Sequence, residues 1–190
     1  MRTLCLLDPP EHVARFARHG QSAISGIYRI GLAREPWEIL GYGAVRRTVF
    51  CHEQHLFDDS DLDEYDRHAF PIVAVSCIAG MAVDVIGAVR IHQMQPNIWV
   101  GSRLAVDQDW RGVPLLAAHL IRAAVCTAHR HGCCEFLASV QRQNVPLFRR
   151  LHWRTLHEEA IRGHPHHRMR ADLDQYPPDD ALALELCQNQ

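Results

Sequence analysis

Apolar residues alternate weakly over 27–33, which predicts a strand. After Glu35-Pro36-Trp37 the pattern changes: Ile39, Leu40, Ala44, Val45 and Val49 recur at three- and four-residue spacing, so a helix is expected to about Cys51, opened by a proline at its first turn. Asp58, Asp59, Asp61, Asp63, Glu64 and Asp66 then crowd a segment too charged for a core. Alternating, β-branched stretches over 72–78 and 82–92 flank Gly80 as a hairpin, and 98–106 reads as a third strand. Pro114 opens an apolar-periodic helix through Leu116, Leu120, Ile121, Ala124, Val125 and Ala128, with Gly132 as its stop. A strand over 136–140, a short helix capped by Asn144 with Pro146 inside it, and strands over 154–161 and 166–173 complete the pattern.

Strand, helix, three strands, helix, strand, helix, two strands is the order of a mixed α/β (α+β) domain, with a single, mostly antiparallel sheet flanked by helices. The 190 residues and 47% hydrophobic content suit one such domain, assigned to 23–175. Before it, Asp8, Pro9, Val13, Phe16 and Ala17 mark a leader helix within 1–22; after it, 176–190 is a tail with a last helix over 181–187.

A net charge of -2 supplies no basic field for nucleic acid or an anionic membrane. All basic residues are arginine, which excludes a Schiff-base lysine and a Walker-type phosphate lysine. Seven cysteines, none in a Cys-x-x-Cys pair, read as reduced thiols. The N-terminal segment lacks the apolar core of a secretory signal, and the apolar run 71–89, interrupted by Gly80 and Asp84, fits a hairpin better than a membrane span; a cytoplasmic protein is expected.

Leu104-Ala105-Val106 followed by Arg111-Gly112-Val113 and a helix resembles the coenzyme A site of the GNAT acyltransferase superfamily, where helix N-terminal amides cradle the pyrophosphate. Asn144 with Leu147, Phe148, Leu151 and Trp153 resembles that superfamily's closing motif, which flanks the thioester. Pro114 and Leu116 stand where the pattern has glycines, and Phe148 stands where a tyrosine often protonates the leaving thiolate. The resemblance implies a GNAT-like sheet, acetyl-CoA or another acyl-CoA as co-substrate, and contacts to it from Leu104, Ala105, Val106, Arg111, Gly112, Val113, Leu115, Leu116, Asn144 and Phe148.

Upstream, Arg46, Phe50, Asp61, Asp63, Asp66, Gly87 to Arg90, and Trp99 to Leu104 follow the order of the acyl-homoserine-lactone synthases, with Val100 replacing a glutamate. A closer resemblance is to nitrogen-starvation N-acetyltransferase-like proteins linked to nitrilase gene clusters, through Val49 to Gln54, Asn144 to Trp153, His164-Pro165-His166 and Ala171-Asp172-Leu173. These resemblances place Glu53, Asp63 and Asp66 on the acceptor side as candidate proton acceptors; the other reading is a solvated acidic loop. Arg90 and Arg103 lie in apolar strands, where an unpaired guanidinium is costly, so each is expected to pair with a carboxylate of 61–66, as site architecture or as scaffolding. His164, His166 and His167 invite zinc, but no further ligands with recognisable spacing accompany them, and no metal is assigned.

The resulting expectation is an acyl-CoA-dependent N-acyltransferase for a small amine, without nucleic-acid or membrane partners and compatible with a homodimer. A non-catalytic acyl-CoA-binding or regulatory module on the same fold is the alternative, and a lactone synthase the weaker one.

Overall fold

The computed structural model describes residues 27–178 and the pair Leu184–Glu185. Its strands are β1 (Ile27–Leu32), β2 (Phe70–Ile78), β3 (Met81–Gln95), β4 (Ile98–Val106), β5 (Glu135–Gln141), β6 (Trp153–Ile161), β7 (His164–Ala171) and β8 (Leu184–Glu185). Its α-helices are α1 (Pro36–Arg47), α2 (Leu116–Arg130) and α3 (Val145–Arg150). One sheet holds all the strands in the order β6-β7-β5-β4-β3-β2-β1-β8. Only β4 and β5 run parallel, because α2 carries the chain across between them; the other neighbours are antiparallel.

Period-two patterning gives each strand two faces, and the two helical layers cover them. On one face α2 buries Leu116, Leu120, Ile121 and Ala124 against Ile72, Val89, Ile91 and Trp99. On the other, Tyr42 and Val45 of α1 and Val49 just beyond it pack on Val73, Val75, Val85 and Ala88. Gly41 permits that approach, since a Cβ there would stand 2.5 Å from Cγ2 of Val85. Helix α1 is closed at its start by a capping box between Glu35 and Glu38, whose buried carboxylate also takes the Arg29 guanidinium. At the β2–β3 turn, Ala79 and Gly80 both have positive φ, the geometry of a tight two-residue hairpin loop.

Three expectations are revised. The first helix stops being α-helical at Arg47 and continues as a π-helical turn over Thr48–Glu53. The second long helix begins at Leu116 rather than Pro114, because Leu115 takes a left-handed conformation (φ 65) that no α-helix can include, leaving Pro114 in the preceding turn. In the tail, Leu184 and Glu185 form a strand instead of a helix, using the outer edge of β1 at Ile30 and Arg29. Tyr176, placed at the start of that tail, is buried, accepting a 3.1 Å hydrogen bond from Nε1 of Trp153. The leader helix expected within 1–22 lies outside the described residues.

Candidate active site

The parallel pairing of β4 with β5 covers only Ile98–Gly101 against Glu135–Ala138. Beyond Gly101 and Ala138 the two strands part, and a cavity of about 610 Å³ opens there. Gly101 marks the fork: a Cβ on it would lie 2.9 Å from the Phe136 ring, so only glycine lets the ring close the bottom of the split. On the α2 side the cavity wall is apolar, with Ile121, Ala124, Phe148 and Trp153. On the α1 side it is mixed, with Phe50, Phe57, Tyr65, Arg90, His92 and Arg103. The cavity therefore passes through the sheet from one helical layer to the other.

A bulge in β4 builds the polar side. Ala105 pairs with Ala88 and Ser102 with Arg90, so two residues of β4 stand opposite Val89 alone, and Arg103 absorbs the extra residue with φ 56. Normal alternation would send Ser102 and Arg103 to opposite faces. Here Ser102 takes Nε of Arg90 at 3.0 Å, while Arg103 reaches Asp61 and Asp63 in the same polar layer.

The acidic segment supplies the partners. Arg46 holds Asp61 (2.7 Å) and Asp66 (2.6 Å). Arg90 holds Asp66 (2.7 Å) and Asp63 (2.6 Å). Arg103 holds Asp63 (3.1 Å) and Asp61 (3.0 Å). Every arginine bridges two aspartates and every aspartate two arginines, a closed ring of alternating charge with no net charge. Arg46 and Arg90 are almost wholly buried, at 0% and 2% exposure, so the ring satisfies groups that would be prohibitive alone. Burial would raise the Asp63 carboxyl, but the Arg90 hydrogen bonds outweigh it and hold it below its ordinary value. Asp66 is depressed in the same way by Arg46 against the effect of burial. The expected pairing of Arg90 and Arg103 with this segment is present, and Arg46 completes it.

The ring fixes the acidic segment over the cavity. Tyr65, carried on the short turn between Asp63 and Asp66, stacks on His92 with ring centres 4.4 Å apart. His92 is buried, its Nδ1 has no hydrogen-bond partner among the described residues, and burial together with the Arg90 charge lowers its pKa, favouring the neutral imidazole. Sequence reasoning passed over His92; the signal available was its position two residues after Arg90 on a strand, hence on the same face. Across the split, Gln141 of β5 donates to Gln54, just past the π-helical turn, at 2.9 Å, joining the α1 layer to the far lip.

Of the remaining expected residues, Leu104, Asn144 and Phe148 line the cavity, Phe148 edge-on to Trp153. Ala105 instead packs in the α1-side core, Leu116 in the α2-side core, and Val106 packs against the latter. Arg111, Gly112, Val113 and Leu115 belong to the turn before α2, with Gly112 and Leu115 exposed and Leu115 at the N-cap without a side-chain capping bond. Arg111 is held to the carbonyl of Val106 at 3.0 Å and to the carboxylate of Glu53, so Glu53 sits at this turn and does not line the cavity. Among the described residues no cluster of His, Cys, Asp or Glu is placed to hold a metal, and no helix is long and apolar enough to cross a membrane.

No family model and no curated protein matches the sequence. Solved structures do match. Escherichia coli ElaA superposes with a TM-score of 0.64 at 15% identity, over 77% of this chain and 99% of its own. An acyl-CoA N-acyltransferase from Pseudomonas aeruginosa gives 0.59 at 18%, over 77% and 99%. The AHL synthase LasI gives 0.55 at 18%, over 76% and 88%. A split between parallel central strands, on a sheet shared with acyltransferases and lactone synthases alike, gives this chain the GNAT fold.

Proposed function

We propose that the protein is an acyl-CoA-dependent N-acyltransferase, with acetyl-CoA as donor and a small amine as acceptor. The observation that carries this reading is the end of β4–β5 pairing at Gly101 and Ala138, with a cavity crossing the sheet at that point. Main-chain groups of β4 beyond Gly101 face a cleft instead of a strand, which suits an extended pantetheine arm and a polarised thioester carbonyl. The turn 111–115 and the start of α2 would receive the pyrophosphate, with Arg111 alongside. Ile121, Phe148 and Trp153 give the donor arm an apolar wall.

The acceptor enters from the α1 side. Asp63 and Asp66, held ionised between arginines, are poor bases, so the aspartate–arginine ring serves as a rigid wall. His92 is the better proton acceptor, favoured as the neutral imidazole and carrying a buried ring nitrogen with no hydrogen-bond partner among the described residues. In this reading the amine nitrogen bonds to the thioester carbonyl carbon, the carbon–sulfur bond breaks, the proton passes to His92, and the thiolate takes a proton from His92 or water because Phe148 has none to give. Val100, in register with His92, brings no carboxylate to the place where lactone synthases carry a glutamate, which weighs against that chemistry.

The test is thiol release from acetyl-CoA in the presence of a panel of primary amines. Amine-dependent release with formation of the N-acetyl product is expected; release with none of them removes the catalytic reading and leaves the binding-module alternative.

A further inference from the structure

The aspartate–arginine ring consumes the charge of Arg90 and Arg103, but the same cavity is lined by two more arginines, Arg162 and Arg168. The guanidinium of Arg168, on β7, makes a single hydrogen bond among the described residues, from Nη1 to Oγ of Ser139 at 3.2 Å, and none of their carboxylates lies at ion-pair distance from it. Ser139 in turn donates its only proton to Oε1 of Glu159 at 2.6 Å, so its lone pairs face the guanidinium. Glu159 thus fixes Ser139, and Ser139 fixes one edge of a half-buried guanidinium whose other donors stay unused. Arg162, exposed, lies over the Phe57 ring at 4.2 Å and, among the described residues, donates from its side chain to the Leu56 carbonyl alone. His92, 6% exposed with a buried Nδ1 that has no hydrogen-bond partner among the described residues, lines the same cavity within reach of the Arg168 charge. The polar lining of this half is interrupted by an apolar patch of Leu56, Leu62 and Met94.

A guanidinium with no direct ion pair, held from one side in a partly desolvated chamber, is suited to a carboxylate, which it binds with two parallel charge-assisted hydrogen bonds. We propose that the acceptor carries a carboxylate as well as its amine, an amino acid with an apolar side chain, and that Arg168 binds that carboxylate. This rests on the acyltransferase reading and narrows it: the amine faces His92 while the carboxylate is held at β7.

The test compares L-phenylalanine and L-leucine with phenethylamine and 3-methylbutylamine, which differ only in the missing carboxylate, using acetyl-CoA as donor. The amino acids should show kcat/KM higher by about tenfold or more. Arg168→Gln should abolish the difference while leaving the Kd for acetyl-CoA unchanged, and Arg168→Lys should retain part of it. Equal rates on acid and amine, or a preference that survives Arg168→Gln, overturn the proposal. If no acceptor is turned over, the same pairs are titrated calorimetrically into the protein. Binding of the amino acid alone, lost in Arg168→Gln, then supports the carboxylate site while the transfer reading fails; equal binding, or none, overturns the site.

Discussion

Arg46 and Arg90 come from a helix and a strand that sequence separates by more than forty residues, yet they meet across Asp66: Arg46 donates to Oδ1 at 2.6 Å and, more weakly, to Oδ2 at 3.3 Å, and Arg90 to Oδ2 at 2.7 Å. That junction ties α1, β3 and the acidic segment into one unit, and both guanidinium partners are buried. Removing the carboxylate leaves two buried positive charges short of a counter-ion. Asp66→Ala should therefore cost about 3 kcal/mol, against under about 1 kcal/mol for an exposed loop carboxylate such as Asp58. Urea denaturation of the two variants checks this, and equal midpoints would show that the ring contributes nothing.

Acid should open the same ring. The folded-state pKa values of Asp63 and Asp66 lie below their ordinary value of 3.8, because arginine hydrogen bonds outweigh burial. Their stabilisation is fully present above the unfolded value and is lost as pH falls through the folded one. The urea midpoint should hold between pH 7 and 5 as far as these groups are concerned and drop below about pH 4. Asp66→Asn should show a shallower acid drop; an unchanged slope in that variant contradicts the assignment.

Proton transfer through His92 predicts an acid limb in the rate profile. Burial and the Arg90 charge hold its pKa below the ordinary 6.5, so below that value the rate should fall more steeply with pH than protonation of the amine acceptor alone makes it fall. His92→Gln should lower kcat about a hundredfold or more and remove that added steepness, with acetyl-CoA affinity retained. A variant with wild-type kcat assigns the proton elsewhere.

The turn before α2 offers a test by charge. Arg111 is paired with Glu53 at the expected pyrophosphate site. Arg111→Glu places two carboxylates beside a dianion and should weaken CoA binding by at least about tenfold, whereas Glu53→Gln, which frees Arg111, should leave it equal or tighter. If Arg111→Glu binds as well as wild type, the phosphates lie elsewhere.

Much of the fold was legible because its strands and helices carry clean periodicities: the 98–106 strand matches β4 from end to end. The pairing of Arg90 and Arg103 with the acidic segment was also legible, since a guanidinium in an apolar strand demands a counter-ion. What stayed hidden depends on backbone detail. Nothing in the order Ser102-Arg103 signals that both reach one polar layer, which requires the positive φ at Arg103. Leu115 likewise hides a left-handed turn behind a good helix former, which moved the helix start. Arg168 could not be distinguished from other surface arginines until β7 was placed beside β5, two neighbours far apart in sequence.

The claim on which the rest depends is that the fork at Gly101 admits an acyl-CoA. Titration of acetyl-CoA into the wild-type protein and into Gly101→Leu measures it most directly, because the added side chain must displace the Phe136 ring into the split. Saturable binding by the wild type, weakened more than about tenfold in a variant that still unfolds cooperatively, is the result predicted. Absence of acetyl-CoA binding by the wild type, or equal affinity in the two proteins, would contradict it.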